Sequence, residues 1–156
     1  MRAYKVLQDG RSEFTGWRWP LPDAQQPGEW VHAEGQIGLC VNGIHAANPE
    51  QLPHWLGTEI WEIELGGEVV REEAALVASQ ARLLRKLDAW DEAMRRRFAE
   101  MCLSRAREIA DGYPAGSGLV TKVEHTLSWA GAAPAGYFTA MLAGESATGV
   151  HSGPDY

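Results

Sequence analysis

The 156-residue sequence predicts an α+β domain. A small, mostly antiparallel sheet from about residues 1–87 is expected to pack against a long helix at about 89–111, with two shorter C-terminal helices after it. Three observations predict this. In Thr58–Leu65, Trp61, Ile63 and Leu65 alternate with Ile60, Glu62 and Glu64, which gives a strand one apolar face. Trp90, Met94, Phe98, Met101, Cys102, Ala106 and Ile109 recur at spacings of three and four, the helical period. The first 70 residues are broken by Gly and Pro at short intervals, which suits short strands joined by turns.

Taken in order, Ala3–Leu7 reads as a strand ended by Asp9-Gly10. Pro20, Pro22 and Pro27 argue against a regular element over 16–27. Residues 28–34 alternate and suit a half-buried strand. Gly38–Val41 reads as another short strand, closed by Asn42-Gly43. Pro49–Leu56 suits one helical turn, with Asn48 as its cap. Gly66-Gly67 is expected to end the strand at Thr58–Leu65, with Glu68–Val70 starting the return. Residues 74–87 fit a continuation of the long helix by composition, since Leu76, Leu83, Leu84 and Leu87 have helical spacing, but also fit two extended segments. Asp88 is a candidate cap for the long helix, and Gly112, Tyr113 and Pro114 stop it. Helices at about 118–130 and 134–142 and a tail from 144 complete the chain.

Hydrophobic residues make up 45% and charged residues 22%, which places the chain among globular domains and away from disorder. Fourteen basic against 21 acidic residues give a net charge of −7, the wrong sign for a general nucleic-acid binder. Arg95-Arg96-Arg97 reads as a solvated helix face, with Glu92 and Glu100 near for pairing. No apolar run reaches membrane-spanning length, and the N-terminus lacks the apolar core of a signal peptide. Cys40 and Cys102 are too few for a disulfide framework and suit a reducing compartment. The expectation is a single-domain cytoplasmic protein with no membrane or nucleic-acid partner, open to homodimer formation.

Several segments together carry a resemblance: Ala3-Tyr4-Lys5, Gly16-Trp17-Arg18-Trp19-Pro20, Cys40-Val41-Asn42-Gly43-Ile44-His45-Ala46, Leu52-Pro53-His54-Trp55-Leu56, Ile60–Leu65 with Gly67, and Arg82–Arg85 leading into Trp90-Asp91. Over about residues 3–105 the chain resembles an uncharacterised family of actinobacterial and phage proteins that has no established activity. The resemblance implies that residues 76–87 belong to the sheet. It also implies a helical C-terminal extension longer than the one present here. More loosely, a Gly-x-His-Ala turn, a short helix and a strand ending in Leu-x-Gly are similar to the middle of ADP-ribosyltransferase folds, which implies a nicotinamide cleft by analogy of fold alone.

His45 is the first candidate for chemistry. It follows the Asn42-Gly43 turn and is flanked by Ala46 and Ala47, so space is left beside an imidazole that titrates near neutrality. The competing reading is a ring that ties the turn to the next strand. Cys40, five residues earlier, is a candidate nucleophile or substrate contact if the ring reaches its sulfur, and otherwise a packed thiol. Glu62 and Glu64 share a strand face, so Glu62 is a candidate acid–base group; the other reading is a solvated face. Glu34 is a further candidate carboxylate. Trp17, Trp19, Trp30 and Trp55 are candidate substrate-binding rings, against the reading that large rings fill a small core. His32, Cys40, His45 and His54 match no tight metal-ligand spacing, so no metal is expected.

The loops at Gly16–Pro20 and Cys40–Ala46 are expected to meet at one pocket. Three functions compete. The first is a cofactor-free enzyme doing acid–base chemistry on an apolar or aromatic small molecule in a tryptophan-lined pocket, with His45, Glu34 or Glu62 carrying protons. The second is an ADP-ribosyltransferase-like enzyme using NAD. The third is a non-catalytic ligand-binding or protein-interaction module.

Overall fold

The computed structural model describes residues 1–110. They fall in two compact units, one over Met1–Glu92 and one that begins at Ala93. The first unit holds five strands: β1 (Arg2–Leu7), β2 (Val31–His32), β3 (Ile44–Ala46), β4 (Glu59–Arg71) and β5 (Leu76–Lys86), with a 3-10 turn at Leu52–His54. α1 (Glu92–Ala110) follows. Every strand pair is antiparallel. Among the described residues, no helix is long and apolar enough to cross a membrane.

The β4–β5 hairpin is the frame. β1 lies along the outer edge of β4, Ala3 opposite Ile63 and Lys5 opposite Trp61. β3 and β2 share the far edge of β5, with Ile44 opposite Ala78 and Val31 opposite Ala81. Just past β3, Ala47 exchanges both backbone hydrogen bonds with Tyr4, each 2.8 Å. Pairing therefore runs from β1 through β4, β5 and β3 back to β1, a closed ring. Inside it lie Ala3, Leu7, Ile44, Ala46, Trp61, Ile63, Leu65, Leu76, Ala78, Ala81 and Leu83, all buried. The alternation read from Thr58–Leu65 is the one observed, with Trp61, Ile63 and Leu65 inward. On the other face Glu62 and Glu64 pair across the hairpin with Arg85 and Arg82, both at 2.7 Å.

Three expectations change, and the open alternative at 74–87 resolves as strand. Gly66-Gly67 does not end the strand. The register slips between Gly66 and Val69, and β4 continues to Arg71. The glycines serve this bulge: Gly66 lies under the Trp30 ring, while Gly67 has φ +64° and abuts the Ser79 hydroxyl, so a side chain there would collide. The turn comes later, at 72–75, where Glu72 N–H donates to the Ala75 carbonyl at 2.9 Å. Residues 74–87 are not helical, since Leu76–Lys86 is one strand buried from both sides at its start. That burial fills positions the helical count also fills, which is why composition alone left a helix open beside the sheet that was expected. Gly38–Val41 is a turn closed by Gly38 and Asn42, and the strand starts at Ile44. α1 begins at Glu92, three residues after the expected start, with Glu92 in its first turn.

The strand expected over 28–34 is paired only at Val31–His32. The helical turn expected over 49–56 is shorter, Leu52–His54, and its N-cap is Gln51, not Asn48, with no side-chain cap bond; Asn48 braces the approach instead, its Oδ1 accepting from Gln51 N–H at 2.8 Å and its N–H donating to Gln51 Oε1 at 3.0 Å. Within α1 Cys102 is buried. The helices expected at 118–130 and 134–142, and the tail from 144, lie outside the described residues.

Candidate functional site

A cavity of about 630 Å³ opens in the first unit between loop 12–19, β1 and the 40–47 segment. Loop 12–19 is positioned by a small irregular hairpin: Ser12 N–H donates to the Trp17 carbonyl at 2.9 Å, and Trp19 N–H donates to the Gly10 carbonyl at 3.0 Å. Asp9-Gly10 is fastened in turn to β4, because Glu59 Oε2 accepts the Gly10 N–H at 3.0 Å and the Trp61 indole N–H at 3.1 Å. The result turns Trp19 inward, 4% exposed, with its indole N–H on Ser12 Oγ at 2.9 Å. Trp17 stands edge-on to it, ring centroids 5.2 Å apart, and stays 45% exposed at the mouth.

The opposite wall is the Cys40–Ala47 segment. Asn42 holds it by donating its side-chain amide to the Glu34 carbonyl at 2.6 Å and the Gln36 carbonyl at 3.2 Å. Gly43 passes at φ +112°, pressed between Ile37 and Val77. The His45 ring turns back on this loop. Its Nε2 accepts the backbone N–H of Cys40 at 3.1 Å, and its Nδ1 lies 3.2 Å from the Gly43 carbonyl. The Nδ1–H tautomer satisfies both contacts. Burial, then the nearby Lys5 charge, push the imidazole below its ordinary pKa against the pull of the Gly43 carbonyl, so it is neutral at pH 7. Both nitrogens are thus engaged by their own loop, the tie between turn and strand that competed with a catalytic role. The Cys40–His45 link runs through the cysteine's backbone N–H. Cys40 itself is exposed and holds φ +58°.

The groups that do stand in the pocket with room for a ligand are Lys5 and Glu13. In β1, Ala3, Lys5 and Leu7 share the inward face, so the lysine occupies a core register. Its ammonium donates to the His45 backbone carbonyl at 2.8 Å and lies 5.7 Å from the Trp19 ring centre. Burial pushes its pKa down to about 8, opposed by Glu13. Glu13 comes from loop 12–19, its carboxyl against Gly57, where a side chain would collide with it. Burial pushes this carboxyl up, opposed by the Lys5 charge. No ion pair among the described residues includes either group.

The cavity therefore brings together Trp17, Trp19, Cys40, His45 and Trp55, the last with its indole N–H on the Ala74 carbonyl at 2.6 Å. Glu34, Glu62 and Trp30 do not line it. Glu34 is exposed and contributes a backbone carbonyl. Glu62 is engaged by Arg85 through both oxygens, at 2.7 and 2.9 Å, on the outer face of the hairpin. Trp30 covers Gly66 with the Arg82 guanidinium 4.8 Å above its ring. Lys5 and Glu13 were missed by sequence reasoning. For Lys5 the signal was present, because a period of two through Ala3 and Leu7 carries it inward. For Glu13, in an irregular loop, there was none. Among the described residues no three His, Cys, Asp or Glu side chains gather as a metal site. No family model, curated protein or solved structure matches the chain.

Proposed function

We propose that this chain is a small enzyme that moves a proton on an apolar or aromatic molecule bound in the Trp17–Trp19 pocket, without a dissociable cofactor. One observation carries the reading: Lys5 and Glu13, a cation and an acid whose burial drives each toward its neutral form, face the same cavity. Oppositely shifted titratable groups in one apolar site are what proton transfer near neutral pH requires. Trp17 and Trp19 offer ring faces and edges to a flat substrate body, and buried Ala46 and Ala47 leave width beside them. Glu13 takes or returns the proton. Lys5 stabilises the charge left on the substrate. His45 is a positioning residue, since it fixes the loop whose carbonyl holds the Lys5 ammonium.

The NAD-dependent alternative ranks lower. Lys5 is the one lysine or arginine in the described lining, which leaves a pyrophosphate a single partner. The binding-module reading uses the same pocket and differs only in turnover.

One experiment separates them. A panel of aromatic acids, phenols, amines and carbonyl compounds is followed by proton NMR with the protein in D2O. Line broadening reports binding, and loss of a carbon-bound proton signal reports transfer. The proposal expects both for at least one compound, with exchange slowed about 10²–10⁴-fold in Glu13→Gln. Broadening without exchange across the panel assigns the pocket to a binding module.

A further inference from the structure

We propose that Lys5 captures a carbonyl: its ε-amine condenses, inside the pocket, with an aldehyde or ketone borne on an aromatic or apolar body, giving an imine. This rests on the reading above and names its substrate class. The placement is the first argument. Lys5 sits between Ala3, 3% exposed, and Leu7, none, opposite Trp61 in the core register of β1. An apolar side chain at that register would satisfy the fold, and the lysine brings a charge that the fold must desolvate. The second argument is its company. Its ammonium is held by one backbone carbonyl and faces an indole ring, with no carboxylate among the described residues in ion-pair contact to keep the proton on it. Lys86 shows the contrast: it is bound to Glu59 at 2.6 Å on the exposed side of the hairpin.

The chemistry balances with the groups present. The neutral Lys5 amine gives its lone pair to the carbonyl carbon, and the carbon–oxygen π pair moves to oxygen, which takes the proton of the Glu13 carboxyl. The nitrogen of the carbinolamine then loses a proton to the Glu13 carboxylate. Glu13 returns that proton to the hydroxyl, which leaves as water as the carbon–nitrogen double bond forms. Amine, carbonyl and the Glu13 carboxyl give a protonated imine, water and the Glu13 carboxylate, with no oxidant or reductant. A lysine desolvated in an apolar pocket is the form in which this nucleophile is active at neutral pH, and a pKa of about 8 leaves a useful fraction of free amine. The protonated imine would draw electrons from the adjacent carbon, which is how the pair would make a carbon-bound proton transferable.

The full chain is incubated at pH 7.5 with benzaldehyde and sodium cyanoborohydride, which reduces an imine to a stable amine, and digested with trypsin. A modified Lys5 resists cleavage and leaves residues 3–11 as one peptide, whereas the α-amine of Met1 leaves with Arg2. The expected result is labelling of Lys5 about tenfold or more faster than Lys86, slowed about tenfold or more in Glu13→Gln, the lower range for proton transfer by a positioned group. Lys5→Met should keep the fold by circular dichroism and lose the label. Labelling of Lys5 no faster than Lys86 overturns the inference. A parallel titration with benzamide, which forms no imine, followed at the Trp19 indole N–H, keeps the two failures apart. Benzamide bound with no preferential label on Lys5 sinks the imine and leaves the pocket reading standing. Neither binding nor label sinks both.

Discussion

The Cys40 backbone N–H donates to His45 Nε2 at 3.1 Å, which fixes a histidine ring as an acceptor inside its own loop. Protonation would set an N–H against an N–H. The folded imidazole is held below its ordinary pKa, so as pH falls the unfolded chain takes up the proton first. Stability from this ring is complete above about pH 6.5 and is lost as pH drops through the folded value. His45→Ala removes the ring that ties the turn to the strand, and because the Cys40 N–H is open to water it should cost about 0.5–1.5 kcal/mol at pH 7.5 in urea denaturation. It should cost less at pH 5. An equal cost at both values would show that the ring contributes by packing alone.

Lys5 follows the same sign in a higher pH window, but here removing the side chain should stabilise the fold. Its folded pKa is below the unfolded one, so below about pH 8 the native state carries a charge it has had to desolvate. Stability rises between about pH 8 and 10.5 as the folded lysine gives up its proton before the unfolded one does. Lys5→Met should raise Tm by about 2–6 °C at pH 7, with the gain shrinking by pH 10. A fall in Tm at pH 7 would mean that the contacts to the His45 carbonyl and Trp19 outweigh the burial of charge.

Glu59 should behave as an ordinary stabilising carboxylate. Burial alone would raise its pKa, but the Lys86 ammonium and the N–H groups of Gly10 and Trp61 outweigh this and hold it below the usual range. Its contribution is present above about pH 4.5 and is lost as pH falls through the folded value. Glu59→Gln should cost about 1–3 kcal/mol at pH 7, and the difference should close near pH 3 in calorimetry. Because Glu59 fastens Gly10, the same variant should also broaden the NMR signal of the Trp19 indole.

Gly43 is set by backbone and by space together. At φ +112° a side chain is strained, and a Cβ would stand 2.6 Å from Val77 Cγ1, in a wall that cannot yield without shifting β5. Gly43→Ala should cost at least about 2 kcal/mol by thermal or chemical denaturation. A cost under about 0.5 kcal/mol would show the wall to be more yielding than its packing implies.

What could be read from residues alone was whatever short-range pattern decides. Trp61, Ile63 and Leu65 declared their face because strand alternation is local. Leu76–Lys86 did not declare itself, because a strand buried from both sides loses its alternation and then looks helical by composition. Gly66-Gly67 looked like a turn because a bulge and a turn ask for the same residues. They are told apart by Trp30 and Ser79, which lie far off in sequence. The pocket walls were legible at Trp17, Trp19 and His45. Its two titratable side chains were not, because an irregular hairpin that no periodicity describes brings Glu13 to the cavity that Lys5 lines.

The ring closed by Tyr4 and Ala47 has a consequence for how the chain is made. β1 leaves the ribosome first, yet its partners, Ala47 on one side and Glu59–Glu64 on the other, emerge much later. At about 5–20 residues per second, the nascent N-terminal strand waits several seconds with both edges open. The β4–β5 hairpin needs no such wait, since its strands follow one another. The segment bearing Lys5 is made before either of its pairing partners, so the pocket can form only after residues 47–64 have emerged.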